Sequence, residues 1–249
     1  PAASETMFAD LQMPMLYPAN VQEVIDYGLY GWAMSRFSGA WTGFKVTADT
    51  VDAAAPINGD PHQLKIILPD FEFPDDGVHI RAGDRWLLQE PRLRNFKLPA
   101  ALAFARANNL NKVVMQSPRP RIGIISSGKA ATDVRQALME LGINDAQAAD
   151  LGLVMLKMGM PFPFDGETVR AFADGLEEVI VVEEKRRFME GRVRDLLYDL
   201  PDGRRPRVVG RHDQDGNEML PGCGEFGAEE IARALAGRIA HFHGSEQIT

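Results

Sequence analysis

Apolar residues recur at two different rhythms, and the change of rhythm divides the chain. Near the start they fall at Val21, Val24, Ile25, Gly28, Leu29, Trp32 and Ala33. That i, i+3, i+4, i+7 spacing predicts a helix over residues 21–36 with this stripe buried. Asn20 stands at its N-cap and Glu23 three residues on, as in a capping box. Gly28 and Gly31 each weaken a helix by about 1 kcal/mol relative to alanine. Their presence predicts that another backbone packs close. Residues 41–50 then alternate and are rich in aromatic and β-branched side chains, which predicts a strand.

From residue 52 to 118 the rhythm is lost. Pro56, Pro61, Pro69, Pro74 and Pro91 interrupt any long regular element. One helix is predicted over residues 99–108, with Pro99 in its first turn and Ala101, Leu102 and Ala105 toward a core. The rest reads as an extended connection that wraps over a neighbour. A connection of this length is uncommon inside one domain, so it is expected to join two.

From residue 121 a regular alternation begins. Apolar strands are predicted at 122–126, 151–156, 179–182 and 207–209. Helices are predicted at 130–141, after Asp165 (carrying Val169, Phe172, Ala173 and Leu176), at 188–198 and at 228–242. Gly142 supplies the left-handed residue that ends the first of these. Doubly apolar strands alternating with helices predict an α/β fold: a mostly parallel, doubly wound sheet. The expected division is 1–52, a connecting segment 53–118, and 119–249.

Composition narrows the function. Of 249 residues, 45% are hydrophobic and 25% charged, ordinary for a globular protein. The net charge of −8 argues against nucleic-acid binding, which needs a basic face. The single cysteine, Cys223, forms no internal disulfide. Nor can it hold an iron–sulfur cluster, which takes about four thiolates. No apolar run approaches the roughly 20 residues of a membrane span, and residues 1–5 lack the features of a secretion signal. A cytoplasmic chain without membrane contact is expected. Because it starts at Pro1 with no Met, it is also expected to be an internal piece of a larger enzyme.

Candidate chemistry is sparse. Gly123 to Ala130 nearly matches the phosphate-binding loop, but Ala130 replaces the magnesium-holding hydroxyl and Gly123 lies within a strand. The simpler reading is a tight strand–helix turn, with Ser127, Gly128 and Lys129 as an alternative nucleotide site. Glu183 and Glu184 follow a strand whose carboxyl end is where sites gather, and a charged loop pairing with nearby arginines explains them as well. His241 and His243, two apart on a helix, point to different faces and do not share a metal.

Several long phrases together resemble one family. They are Tyr17-Pro18-Ala19-Asn20-Val21-Gln22-Glu23-Val24, then Gly31-Trp32-Ala33-Met34-Ser35-Arg36-Phe37-Ser38-Gly39, then Trp41-Thr42-Gly43-Phe44-Lys45. Phe96 to Asn108, Ile124 to Arg135, Lys157-Met158-Gly159-Met160-Pro161, Val181 to Lys185 and Arg205 to Gly210 continue the likeness. The chain resembles the thiamine-diphosphate-dependent 2-oxoacid:ferredoxin oxidoreductases, and within them the indolepyruvate branch in its long fused form. That resemblance implies a map. Residues 1–52 correspond to the end of a thiamine pyrimidine-binding-type domain. Residues from 119 correspond to a domain of transketolase C-terminal type, mainly structural.

The resemblance also implies the chemistry of a parent enzyme. Such an enzyme oxidatively decarboxylates aryl pyruvates, using thiamine diphosphate with magnesium, 4Fe–4S clusters, coenzyme A and ferredoxin. Remaining domains of the parent and a second copy in a homodimer are the implied partners. The activating glutamate, the magnesium site and the cluster cysteines of the family have no counterparts in this sequence, so no catalytic residue carries over. Ser35, Arg36 and Ser38 are candidates only for the rim of the cofactor pocket. The opposing reading is a standalone interaction or scaffold module without catalysis. The purified 249-residue chain is expected to bind no cofactor tightly and to show no indolepyruvate-dependent dye reduction when cofactors are added. Dye reduction would contradict this. Saturable ATP binding at millimolar concentration would instead favour the nucleotide alternative.

Overall fold

The structure, a computed structural model, describes residues 4–60 and 62–243. It divides into two compact units, one of residues 2–111 with 159–165, the other of 112–158 with 166–249. Among the described residues no helix is long and apolar enough to cross a membrane.

In chain order the first unit holds α1 (Glu5–Asp10), β1 (Met15–Leu16), α2 (Val21–Ser38), β2 (Gly43–Phe44), α3 (Ala48–Val51), α4 (Trp86–Arg92) and α5 (Leu98–Ala107). A π-helical stretch, Leu93–Lys97, links α4 to α5. The α2 helix starts where its cap predicts: Asn20 Oδ1 accepts the Glu23 amide at 2.9 Å. The reciprocal half of the box is displaced by one residue, because the Glu23 carboxylate accepts from the Ala19 amide instead.

The buried side of α2 is not the expected one. Tyr27, Gly31, Met34 and Ser38 are buried, packed with Leu16 of β1 and with Ala101, Phe104 and Ala105 of α5. Ile25, Leu29 and Trp32 are 39%, 47% and 76% exposed. The physical reason is that α2 is apolar on two sides. Periodicity finds a stripe but does not say which stripe meets a partner, and the small residues of α5 receive Tyr27 and Met34. The expected strand over 41–50 also shrinks to Gly43–Phe44, followed by α3. Strand propensity is realised only where a neighbour pairs, and β1 offers just Met15 and Leu16, in parallel.

Between α3 and α4 the described residues form neither helix nor strand. Asn108, at the C-terminal end of α5, holds this strap. Asn108 accepts the Ile67 amide at 2.8 Å and donates to the Ile67 carbonyl at 2.7 Å, imitating a strand neighbour. Phe71 and Phe73 of the strap meet Phe37 of α2 in edge-on ring contacts. The predicted helix over 99–108 is present as α5, with Ala101 and Ala105 buried.

The second unit follows with β3 (Asn111–Met115), β4 (Ile122–Ser126), α6 (Lys129–Glu140), α7 (Asp145–Asp150), β5 (Leu153–Met158), α8 (Gly166–Ala173), β6 (Glu178–Val182), α9 (Phe188–Tyr198), β7 (Arg207–Val209) and α10 (Ala228–His243). The strands form one sheet in the order β3-β5-β4-β6-β7. β4 runs parallel to both β5 and β6, and β6 to β7. The expected α/β fold with a mostly parallel, doubly wound sheet is therefore present. Ile122, Ile124, Leu153, Met155, Ile180 and Val182 face a core shared with α6 and α10. On the opposite face Gly123 leaves room for α8 and its following turn: a Cβ there would lie 2.5 Å from Leu176 Cδ1 and 2.9 Å from the Phe172 ring. The predicted strand at 151–156 starts two residues later, because Asn144 and Gln147 form a complete capping box that opens the unpredicted helix α7.

One buried ion pair ties the sheet to its last helix. Glu178, at the start of β6, is 0% exposed and Arg238 of α10 only 5%. Arg238 donates to both Glu178 carboxylate oxygens, through Nε at 2.7 Å and through Nη2. Its Nη1 donates to Gln214 Oε1 at 2.7 Å. Breaking a buried pair leaves a charge without compensation, so Arg238→Met should cost about 3–5 kcal/mol in urea denaturation. The double variant Glu178→Leu/Arg238→Met should cost clearly less. A cost below 1 kcal/mol for the single variant would show that the pair contributes little.

Candidate functional site

An apolar hollow in the first unit lies along the exposed flank of α2. It encloses about 540 Å³ and is lined by Tyr27, Gly28, Gly31, Trp32, Ser35 and Arg36 of α2 with Trp41, Thr42 and Phe44 at β2. The α2 helix sits against the two strands because Gly31 has no side chain: a Cβ there would stand 3.3 Å from Leu16 and 3.5 Å from Thr42. The neighbours are side-chain atoms, not the close backbone expected from the helix glycines. Gly28 differs, since a Cβ there would meet nothing within 4 Å. It opens onto the hollow. Burial, and then the neighbouring Glu23 carboxylate, push the Tyr27 hydroxyl far above the ordinary tyrosine range, so it stays protonated.

The three rim candidates are placed differently. Ser35 lines the hollow, with its hydroxyl donating to the Ala40 carbonyl at 2.8 Å. Arg36 lines it too and is exposed. Ser38 faces the other way, fully buried, donating to the Met34 carbonyl and accepting the Ala40 amide. Ser35 and Ser38 both fix the turn after α2. Arg36 alone of the three offers a charge to the hollow. Sequence reasoning missed Trp32 and Trp41 as site residues because one was assigned to a core stripe and the other to a strand.

In the second unit the other candidates are engaged locally. Ser126 and Ser127 donate to the Val182 and Met158 carbonyls at 2.8 and 2.6 Å, and the Lys129 ammonium lies 2.9 Å from Asp133. The polar side chains of the turn resembling a phosphate loop are thus engaged with the ends of β6 and β5 and with α6. Glu183 caps α9, accepting the Met189 and Glu190 amides at 2.7 and 2.8 Å. The Glu184 carbonyl accepts the Arg186 amide in the bend before α9. Cys223 is free and exposed. His243 contacts the Leu151 carbonyl at 2.9 Å, and among the described residues no three His, Cys, Asp or Glu side chains gather as a metal site.

A polar hollow of about 650 Å³ adjoins α10, with Asp213, Glu218, Glu225, Glu230 and Arg233 in its lining. Two of its acids are committed to backbone geometry. The Asn217 side chain, then the Asn217 and Asp215 amides, hold the Asp213 carboxyl below its usual range. The Gly227 amide does the same for Glu230.

Comparison with known proteins gives first the class of fold and then the family. The structure aligns with 2-oxoglutarate:ferredoxin oxidoreductase from Magnetococcus marinus over 91% of this chain and 42% of that one, with a TM-score of 0.50. At 15% identity the likeness is one of fold. The family follows from sequence. Residues 112–249 match the model of the indolepyruvate oxidoreductase domain, more than half of the chain, and the chain belongs to that family.

Among curated relatives, indolepyruvate oxidoreductase subunit IorA of Methanothermobacter marburgensis is 27% identical over 226 residues, 90% of this chain and 34% of that protein. The subunit of the same name from Thermococcus kodakarensis is 37% identical over 116 residues, 47% of this chain and 16% of that protein. The chain thus spans about a third or less of the length of these relatives. Assigning Glu183 to a helix cap has a direct check. Glu183→Ala should lower stability by about 1 kcal/mol, the usual value of an N-cap, in thermal or urea denaturation. No change would show that α9 does not depend on this carboxylate.

Proposed function

We propose that this chain is a structural part of an enzyme that oxidatively decarboxylates aryl pyruvates such as indolepyruvate and passes the electrons to ferredoxin. The observation that carries the reading is the family match over 112–249, extended by an alignment to an IorA subunit across 90% of the chain. The first unit then corresponds to the end of a thiamine pyrimidine-binding-type domain and the second to a transketolase C-terminal-type domain. A homodimer, other domains or subunits, and ferredoxin are the partners this reading carries.

The residues of the chain fit one half of thiamine diphosphate only. A magnesium–diphosphate group needs several oxygen ligands at one place, and no such cluster stands among the described residues. The aromatic lining of the α2 hollow, with Arg36 at its edge, suits the neighbourhood of a flat ring. When bound, the cofactor supplies the carbanion chemistry. In this reading the chain helps to shape the ring's surroundings, with Ser35 and Ser38 holding the turn after α2 and Arg36 offering charge at the rim.

The test uses the longer protein that contains this chain. With thiamine diphosphate, magnesium and coenzyme A it should reduce ferredoxin, or a dye in its place, in the presence of indolepyruvate. Failure with every aryl pyruvate, alongside activity on an unrelated 2-oxoacid, would overturn the substrate. Absence of any 2-oxoacid-dependent reduction would overturn the class and favour a scaffold.

A further inference from the structure

The strap between α3 and α4 is held in the manner of a bound peptide. Among its described residues, 52–60 and 62–85, only Val78 is buried. Ile57, Ile66, Ile67, Leu68 and Ile80 are exposed along it. A segment with so little apolar burial has little to set against the backbone entropy lost on ordering. What orders it is a short series of fasteners supplied by its neighbours.

Two of the fasteners are carboxamides, which carry a donor and an acceptor side by side. Near one end, the Asn58 amide donates to Gln22 Oε1 at 2.8 Å, and Gln22 Nε2 donates to the Asn58 carbonyl at 3.4 Å. Further along, Asn108 grips both backbone groups of Ile67 in the same way. Phe71 and Phe73 then close on Phe37, near the end of α2. Val78 seats on the turn that follows α2: a Cβ on Gly39 would stand 2.9 Å from the Val78 carbonyl oxygen. Beside it, Asp76 pairs with Arg81 and with Arg92 of α4 at 2.9 and 2.6 Å, contacts that water and salt weaken.

The buried side chain of the strap and its ring contacts thus fall on one short piece of the first unit, Phe37 to Gly39. That piece begins the turn that ends in Trp41. Gly39 takes a left-handed φ of 71°, and its carbonyl accepts the Lys97 ammonium at 3.0 Å. The middle of α2 has a different anchor, because Tyr27 and Met34 pack with α5. The strap can therefore leave without parting α2 from α5, while the turn loses its cover.

We infer that residues 52–85 form a latch that opens and closes as one unit over the end of α2 and, when closed, fixes the turn carrying Trp41. Local opening is drawn from segments with few buried contacts. The fasteners act on one continuous chain, so each raises the effective concentration of the others, and losing one weakens all. The latch depends on the residues of this chain alone, and not on the substrate, the cofactor or the proposed function.

The test is hydrogen exchange read by mass spectrometry on the longer protein that contains this chain, unaltered and with Phe73→Ala or Gln22→Ala. Neither residue belongs to the buried core. Each change alone should speed exchange about fivefold or more in the peptides containing Asn58, Ile67 and residues 39–41 together, leaving residues 24–34 unchanged. Effects confined to the neighbourhood of the altered residue would overturn the latch, since the fasteners would then act independently. Exchange at Asn58 and Ile67 as slow as in the middle of α2, in the unaltered protein, would also overturn it. Trypsin gives a second reading: Phe73→Ala should quicken cleavage after Lys65 about fivefold, because nicking follows the open population. An unchanged cleavage rate would contradict the inference.

Discussion

Parallel strands hide both faces and exchange hydrogen bonds on both edges, and that demand organises the two units of this chain to different degrees. In the second unit it is met for β5, β4 and β6, each of which has a strand on either side. β4 lies between β5 and β6, α6 and α10 cover one face, and α8 reaches the other through the space left by Gly123. The buried Glu178–Arg238 pair then fixes the closing helix over the sheet. In the first unit the demand is met on one side only. The α2 helix has α5 against its Tyr27–Met34 side, while Trp32 is largely exposed.

The second unit was largely legible in the sequence. Its strands are doubly apolar and its helices punctuated by caps and glycines, so the spans at 122–126, 188–198 and 207–209 appear in the structure with the same bounds. What escaped were α7, whose six residues bury only Ala148 and so carry almost no periodic signal, and β3, which lies within the expected connection 53–118. The first unit was harder to read for a physical reason. Periodicity reports which residues share a face, while burial depends on what the face meets. Residues 41–50 have the composition of a strand but little to pair with, and they form two strand residues and a turn of helix.

The candidate site shows the same division. Ser35 and Arg36 were identified through a resemblance, and the structure sets both on one hollow, whereas Ser38 serves the turn from inside the core. Trp32 and Trp41, the most prominent groups there, had been read as buried helix and regular strand. Exposure depends on what packs against a residue from elsewhere in the chain, which no local pattern encodes. At 126–129 the polar side chains are spoken for by neighbours: Ser126 and Ser127 donate to carbonyls at the ends of β6 and β5, and Lys129 pairs with Asp133 one turn along α6.

This chain belongs to the indolepyruvate oxidoreductase domain family, and the account gives it a structural role beside a thiamine diphosphate site. A structure of the longer protein with thiamine diphosphate and magnesium bound tests that role most directly. The ligands of the magnesium–diphosphate group should lie outside residues 1–249, with the cofactor ring near the α2 hollow. Magnesium ligands within residues 1–249, or a cofactor remote from α2, would contradict the account.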